Sequence, residues 1–435
     1  MVLARLVGVI LMSGAAASAA DAPGEPSWAG FRGAGDSHVL VRQVPVTWEL
    51  RGGRRNGNWT IRLPGYGQSS PVVWGGQVFV TAVSGPEKEH LHVLAVDART
   101  GSTRWQKDFA GTQRVPDGDA VSRGAPTPVL DAEHCYAMFE SGDLIALTHA
   151  GDVVWQRSIV RDYGEFQGPH GYGSSPILAD GKLIVQVCHG GPSYLLALDR
   201  ASGQTLWKVD HPSETGWSTP AMFRQGETVG VVVSSSGSVR AYDVRDGREL
   251  WFVTGIKGNS TASPTVAGEI VVVGGSSERM GPPPPPGVTA GSLAIRLGGV
   301  GDVSESHVLW KSAKVSAGYA SPLVHDGLAY FVNRVGGVQC VDIVTGDIKG
   351  QTRLPGSAWA SPLWHDGRAF FFCKDGAVVA LNAGTELTEI GESSLSATDV
   401  VYGVAAVEGA WIVRTGRGLL RVGGAAADSP AAAGE

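Results

Sequence analysis

Apolar and polar positions alternate along this chain in short bursts, with no sustained helical period. The stretch Ser175–Lys208 shows the unit. Pro176–Leu178 opens one strand and Ala179-Asp180-Gly181 turns it; Leu183–Val187 is a second strand. Leu195–Leu198 is a third, ending at Asp199, and the turn Asp199–Gly203 leads into a fourth strand that carries Trp207. Short apolar or β-branched runs separated by Gly, Asp and Ser turns predict an antiparallel meander. Such a sheet cannot bury both faces alone, so it requires neighbours.

The unit recurs. Its first strand opens at Ser70-Pro71, Thr127-Pro128, Ser175-Pro176, Thr219-Pro220, Ser263-Pro264, Ser321-Pro322 and Ser361-Pro362. Most intervals between these prolines are 40 to 48 residues, with 57 after Pro71 and 58 after Pro264. An eighth unit near Gly403-Val404 keeps the strands and lacks the proline. The turn after strand one is tight, as in Gly75-Gly76, Asp180-Gly181, Asp326-Gly327 and Asp366-Gly367. The turn after strand three runs from Asp to Gly at 97–101, 199–203, 243–247 and 342–346. Asp caps such a turn through its side chain and Gly supplies positive φ. Strand four carries Trp105, Trp155, Trp207, Trp251 or Trp310; Gly350 takes that place in the sixth unit.

The eighth unit has no fourth strand before the Ala-rich tail, while Asn58–Leu63 reads as one with no unit of its own. Trp59 lies 12 residues before Pro71, the spacing of Trp310 to Pro322. A ring closed by this N-terminal strand protects every sheet edge. The prediction is an all-β, eight-bladed β-propeller of four-stranded antiparallel blades over 58–423, preceded by an extension at 21–57 and followed by a disordered tail at 424–435.

Composition changes little. The 435 residues include 62 Gly, and the formal charge is −6. No basic stripe appears, which argues against a nucleic-acid partner; the densest basic group, Arg51, Arg54 and Arg55, reads as a solvated loop. Arg5, the short apolar run Leu6–Met12 and the small residues Ala17–Ala20 read as a signal peptide over 1–20, too short to span a bilayer. The expectation is a periplasmic or secreted monomer with no transmembrane segment. Cys135, Cys188, Cys340 and Cys373 fall in or beside strands and read as buried free thiols; none has zinc-type spacing.

The pattern of Ser-Pro, Asp-Gly, a third strand ending in Ala-Leu-Asp, Thr/Ser-Gly and Trp resembles the pyrroloquinoline-quinone-like (PQQ-like) propeller repeat. Trp28–Gly33 resembles a segment that precedes such propellers in exported bacterial proteins. The family holds quinoprotein alcohol dehydrogenases and also non-enzymatic members such as the propeller of the outer-membrane assembly machinery.

In a propeller, the loops joining strands two to three and those joining blades share one face. The insertions Ser84–His90, Ala110–Gly124, Arg161–Gly173 and Ser276–Gly291 all belong to that class, so the binding face is expected there. Residues just before each Ser/Thr-Pro reach the channel mouth on that face. They are Tyr66, Gln68, Tyr172, Trp217, Asn259, Tyr319, Trp359 and Tyr402, and they serve either as a stacking platform or as packing between blades. Glu165 and His170 form an acid/base pair if they meet, or His170 is a loop hydrogen-bonder. Asp117 and Asp119 offer oxygens to Ca²⁺ but fall short of a calcium motif. Gly281–Gly287 reads as a polyproline stalk that docks a partner or spaces a loop.

The dehydrogenases of this family require PQQ over an aromatic, Ca²⁺ on carboxylates, an Asp base and an adjacent Cys-Cys pair. This chain has no adjacent cysteines and no Cys-x-x-Cys-His haem motif. The expected function is an exported non-catalytic scaffold, with no cofactor, that binds a protein or cell-envelope component. A PQQ-dependent dehydrogenase and a polysaccharide-binding propeller are the alternatives.

Overall fold

The computed structural model describes residues 26–48, 58–118, 121–212, 214–277, 284–395, 397 and 399–423. The expected signal peptide and Ala-rich tail lie outside these residues. Eight four-stranded antiparallel sheets form the ring. The third blade runs Ile177–Ala179, Lys182–Val187, Tyr194–Asp199 and Thr205–Asp210, as its sequence predicts. The one helix among the described residues, Ile159–Tyr163, leads into the Arg161–Gly173 insertion and forms its first residues, where only a loop was expected. It is held there by buried Ile159 and Val160.

Closure follows the predicted route. Trp59–Arg62 pairs antiparallel with Gly418–Gly423, with Trp59 opposite Arg421 and Arg62 opposite Gly418. The Trp59 indole donates to the Ala98 carbonyl of blade one at 3.1 Å.

That contact is the first of a series, which explains why strand four carries Trp. The indole Nε1 groups of Trp105, Trp155, Trp207 and Trp310 donate to His149, Arg200, Val244 and Ile343 carbonyls in the next blade's turn, at 2.9–3.0 Å. The Gly of that turn lies on the indole face. A Cβ on Gly101, at φ +74°, would meet Trp59 at 2.7 Å, so the turn requires glycine for both conformation and space. At Gly350 the Thr385 carbonyl of blade seven fills the place of the missing side chain.

Trp251 is the exception. Its Nε1 is buried without a partner, because blade five joins strands three and four through the longer 297–307 connection. Gly301–Asp302 within it pairs parallel with Trp251–Phe252. This corrects the expectation that every long insertion lies on one face; this one lies on the tight-turn face.

The Ser or Thr before each proline also has a structural cause. The Ser70 amide donates to Thr127 Oγ1, Thr127 to Ser175, Ser175 to Thr219, Thr219 to Ser263, Ser263 to Ser321 and Ser321 to Ser361, at 2.8–3.1 Å. Six side-chain bonds thus belt the channel, each linking one blade to the next. The belt ends at Gly403, where Ser70 occupies the space a side chain would need.

The channel is filled from the tight-turn side. Pro26–Trp28 pairs antiparallel with Val72–Trp74, the innermost strand of blade one. The chain turns at Gly30–Gly33, where the Gly33 amide donates to the Gly30 carbonyl. It returns alongside blade seven, with His38 bridging Trp364. Fully buried Arg32 donates to Thr265 Oγ1 at 2.9 Å and lies 3.5 Å from the Ser263 and Pro264 carbonyls. Burial pulls its guanidinium down to about 10. Residues 43–48 then cover the seam between blades seven and eight: Gly409 donates to the Gln43 carbonyl, and Trp411 Nε1 to the Pro45 carbonyl.

Candidate functional site

Four successive blade-entry segments, those of blades six, seven, eight and one, bring four candidate rings together at the mouth. Tyr319 lies 4.6 Å from Trp359, Trp359 5.4 Å from Tyr402, and Tyr402 6.1 Å from Tyr66, centroid to centroid. All four are partly exposed. The hydroxyls of Tyr66 and Tyr402 share a hydrogen bond of 2.8 Å. Burial and that bond push the Tyr66 phenol well above its ordinary value, so it stays protonated. The Tyr66 hydroxyl also donates to Asp399 at 3.4 Å.

Cations cap the arc. Arg334 lies 4.7 Å over Tyr319; Arg123 and Arg417 lie 4.8 and 5.7 Å from the Tyr66 ring. These distances fit cation–π contact. The arginines escaped the sequence reading because each comes from a different loop, so they make no cluster along the chain. Arg51, Arg54 and Arg55, the densest basic group in sequence, lie outside the described residues.

The other candidates fall elsewhere. Tyr172 is buried, stacked on Phe166 at 4.8 Å, with its hydroxyl donating to the Gln186 carbonyl. It packs the core between blades two and three and does not face a ligand. Trp217 is partly exposed beside His170 at 5.8 Å, and its Nε1 donates to the Gly171 carbonyl. Glu165 is exposed, and no hydrogen bond or ion pair among the described residues joins it to His170. Asn259 is buried and donates to the Ser235 and Ser238 carbonyls. Gln68 accepts from the Arg123 amide.

Asp117 pairs with the Arg123 guanidinium, while Asp119 lies outside the described residues. Their insertion is anchored by a buried pair that sequence did not flag. Lys88 Nζ donates to the Ser122 carbonyl, Glu140 accepts from the Gly124 amide, and the two charges sit 3.8 Å apart. Burial pushes the Glu140 carboxyl up and the Lys88 amine down. Of the Gly281–Gly287 stalk, 284–287 are described, and Pro284 lines a cavity of about 600 Å³ beside Arg334 and Lys257.

The described residues beneath the arc do not fit PQQ with Ca²⁺. Among the described residues no three His, Cys, Asp or Glu side chains converge on a metal-sized point. Between the arc and the inserted Trp28, Phe31 and Arg32 the void is about 40 Å³. That volume suits a water or two, not a tricyclic quinone. The four cysteines are buried free thiols, and burial pushes Cys188 up to about 12, far from a reactive thiolate.

A family model described as outer membrane protein assembly factor BamB matches residues 12–168 and 164–282. Outer membrane protein assembly factor BamB of Burkholderia pseudomallei (strain K96243) is 29% identical over 217 residues, 49% of this chain and 52% of that protein. A polyvinylalcohol dehydrogenase of a Pseudomonas species is 28% identical over 216 residues, 45% of this chain and 30% of that protein. The matches thus span about half the length of the first relative and less than a third of the second. Among solved structures, BamB from Moraxella catarrhalis superposes with a TM-score of 0.59 at 15% identity, over 83% of this chain and 95% of that one. A quinohemoprotein alcohol dehydrogenase from Comamonas testosteroni gives 0.60 at 14%, over 91% and 80%. At such identities the structures share a fold, and function must be argued from the site.

Proposed function

The chain belongs to the family of the outer membrane protein assembly factor BamB, and from that premise we propose that it is an exported, non-catalytic scaffold that holds a cell-envelope protein against its insertion-bearing face. One observation carries the reading: the loops and half-exposed rings gather at the mouth of a channel that the chain's own Trp28–Arg32 fills. A partner engages the mouth as a surface, above a void of about 40 Å³ between the arc and Trp28–Arg32. The dehydrogenase reading loses support from the same void and from the donor set. No helix among the described residues is long and apolar enough to cross a membrane. In this proposal the protein works in the periplasm as a monomer.

The test places a photo-crosslinking residue at exposed Glu165, and separately at exposed Val344 on the tight-turn face. The expected result is a discrete envelope-protein adduct from position 165 and none from 344. Equal labelling from both positions, or no adduct from 165, overturns the proposal.

A further inference from the structure

We propose that His38 and His325 bind a divalent late transition-metal ion, Cu²⁺ foremost, which ties the channel-filling segment to blade six. The inference goes beyond the scaffold reading and does not depend on it, since the site lies on the tight-turn face, away from the mouth. His38 belongs to the segment that returns beside blade seven. His325 ends the first strand of blade six, Leu323–His325, at the Asp326-Gly327 turn.

His38 Nε2 and His325 Nδ1 face each other at 3.1 Å. A carboxylate stands on the far side of each ring: Asp36 Oδ2 is 3.3 Å from His38 Nδ1, and Asp326 Oδ2 is 3.3 Å from His325 Nε2. Four groups in a row leave three gaps, while two neutral imidazoles bring one ring proton each. With a proton between the rings, one carboxylate faces a bare ring nitrogen. With both protons turned outward, two lone pairs meet across the central gap. The row is unsatisfied as it stands, since His38 Nδ1 is buried and not aligned for a hydrogen bond with Asp36. A cation in the central gap resolves the conflict, and the outer carboxylates then orient the rings as in carboxylate–histidine–metal sites. Two carboxylates beside two neutral rings also suit a divalent charge. The charged neighbours of His325 are Asp326 and His38, while Arg32 acts on Asp36 from inside the channel.

Placement also favours an ion. Bound about 2.0–2.1 Å from each nitrogen, it would sit off the line joining them at an angle of roughly 100°, so each ring tilts slightly to meet it. That angle is open to tetragonal and tetrahedral ions; imidazole suits both Cu²⁺ and Zn²⁺, and Cu²⁺ is held more tightly. The two imidazoles are 23% and 27% exposed, so an ion can enter and water can complete its shell. The backbone around the pair is held in place. His325 stacks on Trp364 at 3.9 Å. Beside His38, the Val39 amide donates to the Trp364 carbonyl at 2.9 Å, and the Trp364 amide to the Ser37 carbonyl at 3.0 Å. Asp36 Oδ1 accepts from the His38 amide at 3.0 Å. The sequence hides the pair because its members stand 287 residues apart.

The probes are CuCl₂ and, separately, ZnCl₂, added to the chelator-treated whole protein. With one equivalent of Cu²⁺ the electron paramagnetic resonance spectrum is expected to show two ring nitrogens. Calorimetry is expected to show a site that His38→Gln and His325→Gln each weaken at least tenfold. His307→Gln, in the 297–307 connection on the same face, leaves it unchanged. Limited proteolysis gives a second readout: either ion slows cleavage within 26–48 at least tenfold in the parent and leaves it unchanged in His325→Gln. Equal affinity in the parent and both ligand variants, a spectrum with a single nitrogen, or parent cleavage that the ions do not slow overturns the proposal. None of these results bears on the position-165 adduct, so the scaffold reading stands or falls separately.

Discussion

The Trp59 indole donates to the Ala98 carbonyl at 3.1 Å while its backbone pairs with Arg421, so one residue ties the first blade to the last. Its face also supports Gly101. Trp59→Ala removes the bond and leaves a cavity between the ring-closing strand and the first blade. A loss of about 3–5 kcal/mol is expected, as for other buried aromatics cut to alanine. Trp59→Phe keeps an aromatic face but loses the N–H and part of the indole's volume, and is expected to cost about 1–3 kcal/mol. Chemical denaturation of the two variants checks the order; equal stabilities would contradict the role given to the seam.

The hydroxyl belt makes a sharper distinction. The Ser263 hydroxyl accepts from the Thr219 amide at 2.8 Å, and both residues are buried. Ser263→Ala strands that amide, at a cost of about 1–3 kcal/mol. Ser263→Thr keeps the acceptor, as Thr127 and Thr219 do in their own blades, and is expected within about 0.5 kcal/mol of the parent. Thermal unfolding of both variants decides it; a destabilised threonine variant would place the demand on side-chain volume instead of the hydroxyl.

These two contacts show what the sequence could and could not reveal. The Asp-Gly turns were legible because their chemistry is local: Asp180 and Gly181 both take positive φ where the turn demands it. Strand four's Trp and the Ser/Thr before each Pro were legible as repeats, but their purpose was not. Each finds its partner one blade on, as with Ser175 and Thr219, 44 residues apart. The arc was legible residue by residue in Tyr66, Tyr319, Trp359 and Tyr402, since blade-entry positions meet at the mouth. The same logic misplaced Tyr172, because the 161–173 insertion folds Phe166 over it. The arginines above the rings were not legible, and Trp28–Gly33 was legible only as a familiar segment and not as the filling of the channel, since nothing in its local sequence marks contacts some 230 residues away, such as Arg32 with Thr265.

Arg32 gives a test of the filled channel. Its guanidinium faces acceptors: Thr265 Oγ1 and the carbonyls of Ser263, Pro264 and Gly35. Arg32→Glu turns each attraction into a repulsion inside a buried space, where an unpaired charge is expensive. The segment is expected to withdraw while the blades persist. Limited proteolysis reads this as cleavage within 26–48 at least tenfold faster than in the parent, ahead of any cut in 58–423. Unchanged protection of 26–48 would show that its strand pairing with Val72–Trp74, and not the Arg32 contacts, holds it in place.

His189 links pH to the insertion-bearing face. Its Nδ1 accepts from the Gly191 amide at 2.9 Å and from the Gln167 amide at 3.2 Å, and Phe166 packs against its ring at 5.3 Å. An acceptor at Nδ1 requires the neutral imidazole, and burial pulls the folded-state value down to about 4, against about 6.5 in the unfolded chain. Between these values the unfolded state binds more protons, so stability rises with pH across the window. The contribution is whole above about pH 6.5 and is lost as pH falls toward 4; burial shifts His149, His211 and His325 downward too. Allowing for solvent screening, His189 alone contributes roughly 1–3 kcal/mol at neutral pH relative to acid. Denaturation midpoints from pH 7.5 to 4.5 are expected to fall, and faster hydrogen exchange at Gln167 and Gly191 is expected to accompany the fall. His189→Asn offers a carbonyl oxygen to the same amides without titrating, so its midpoint depends less on pH. An identical slope in parent and variant would remove His189 from the acid response.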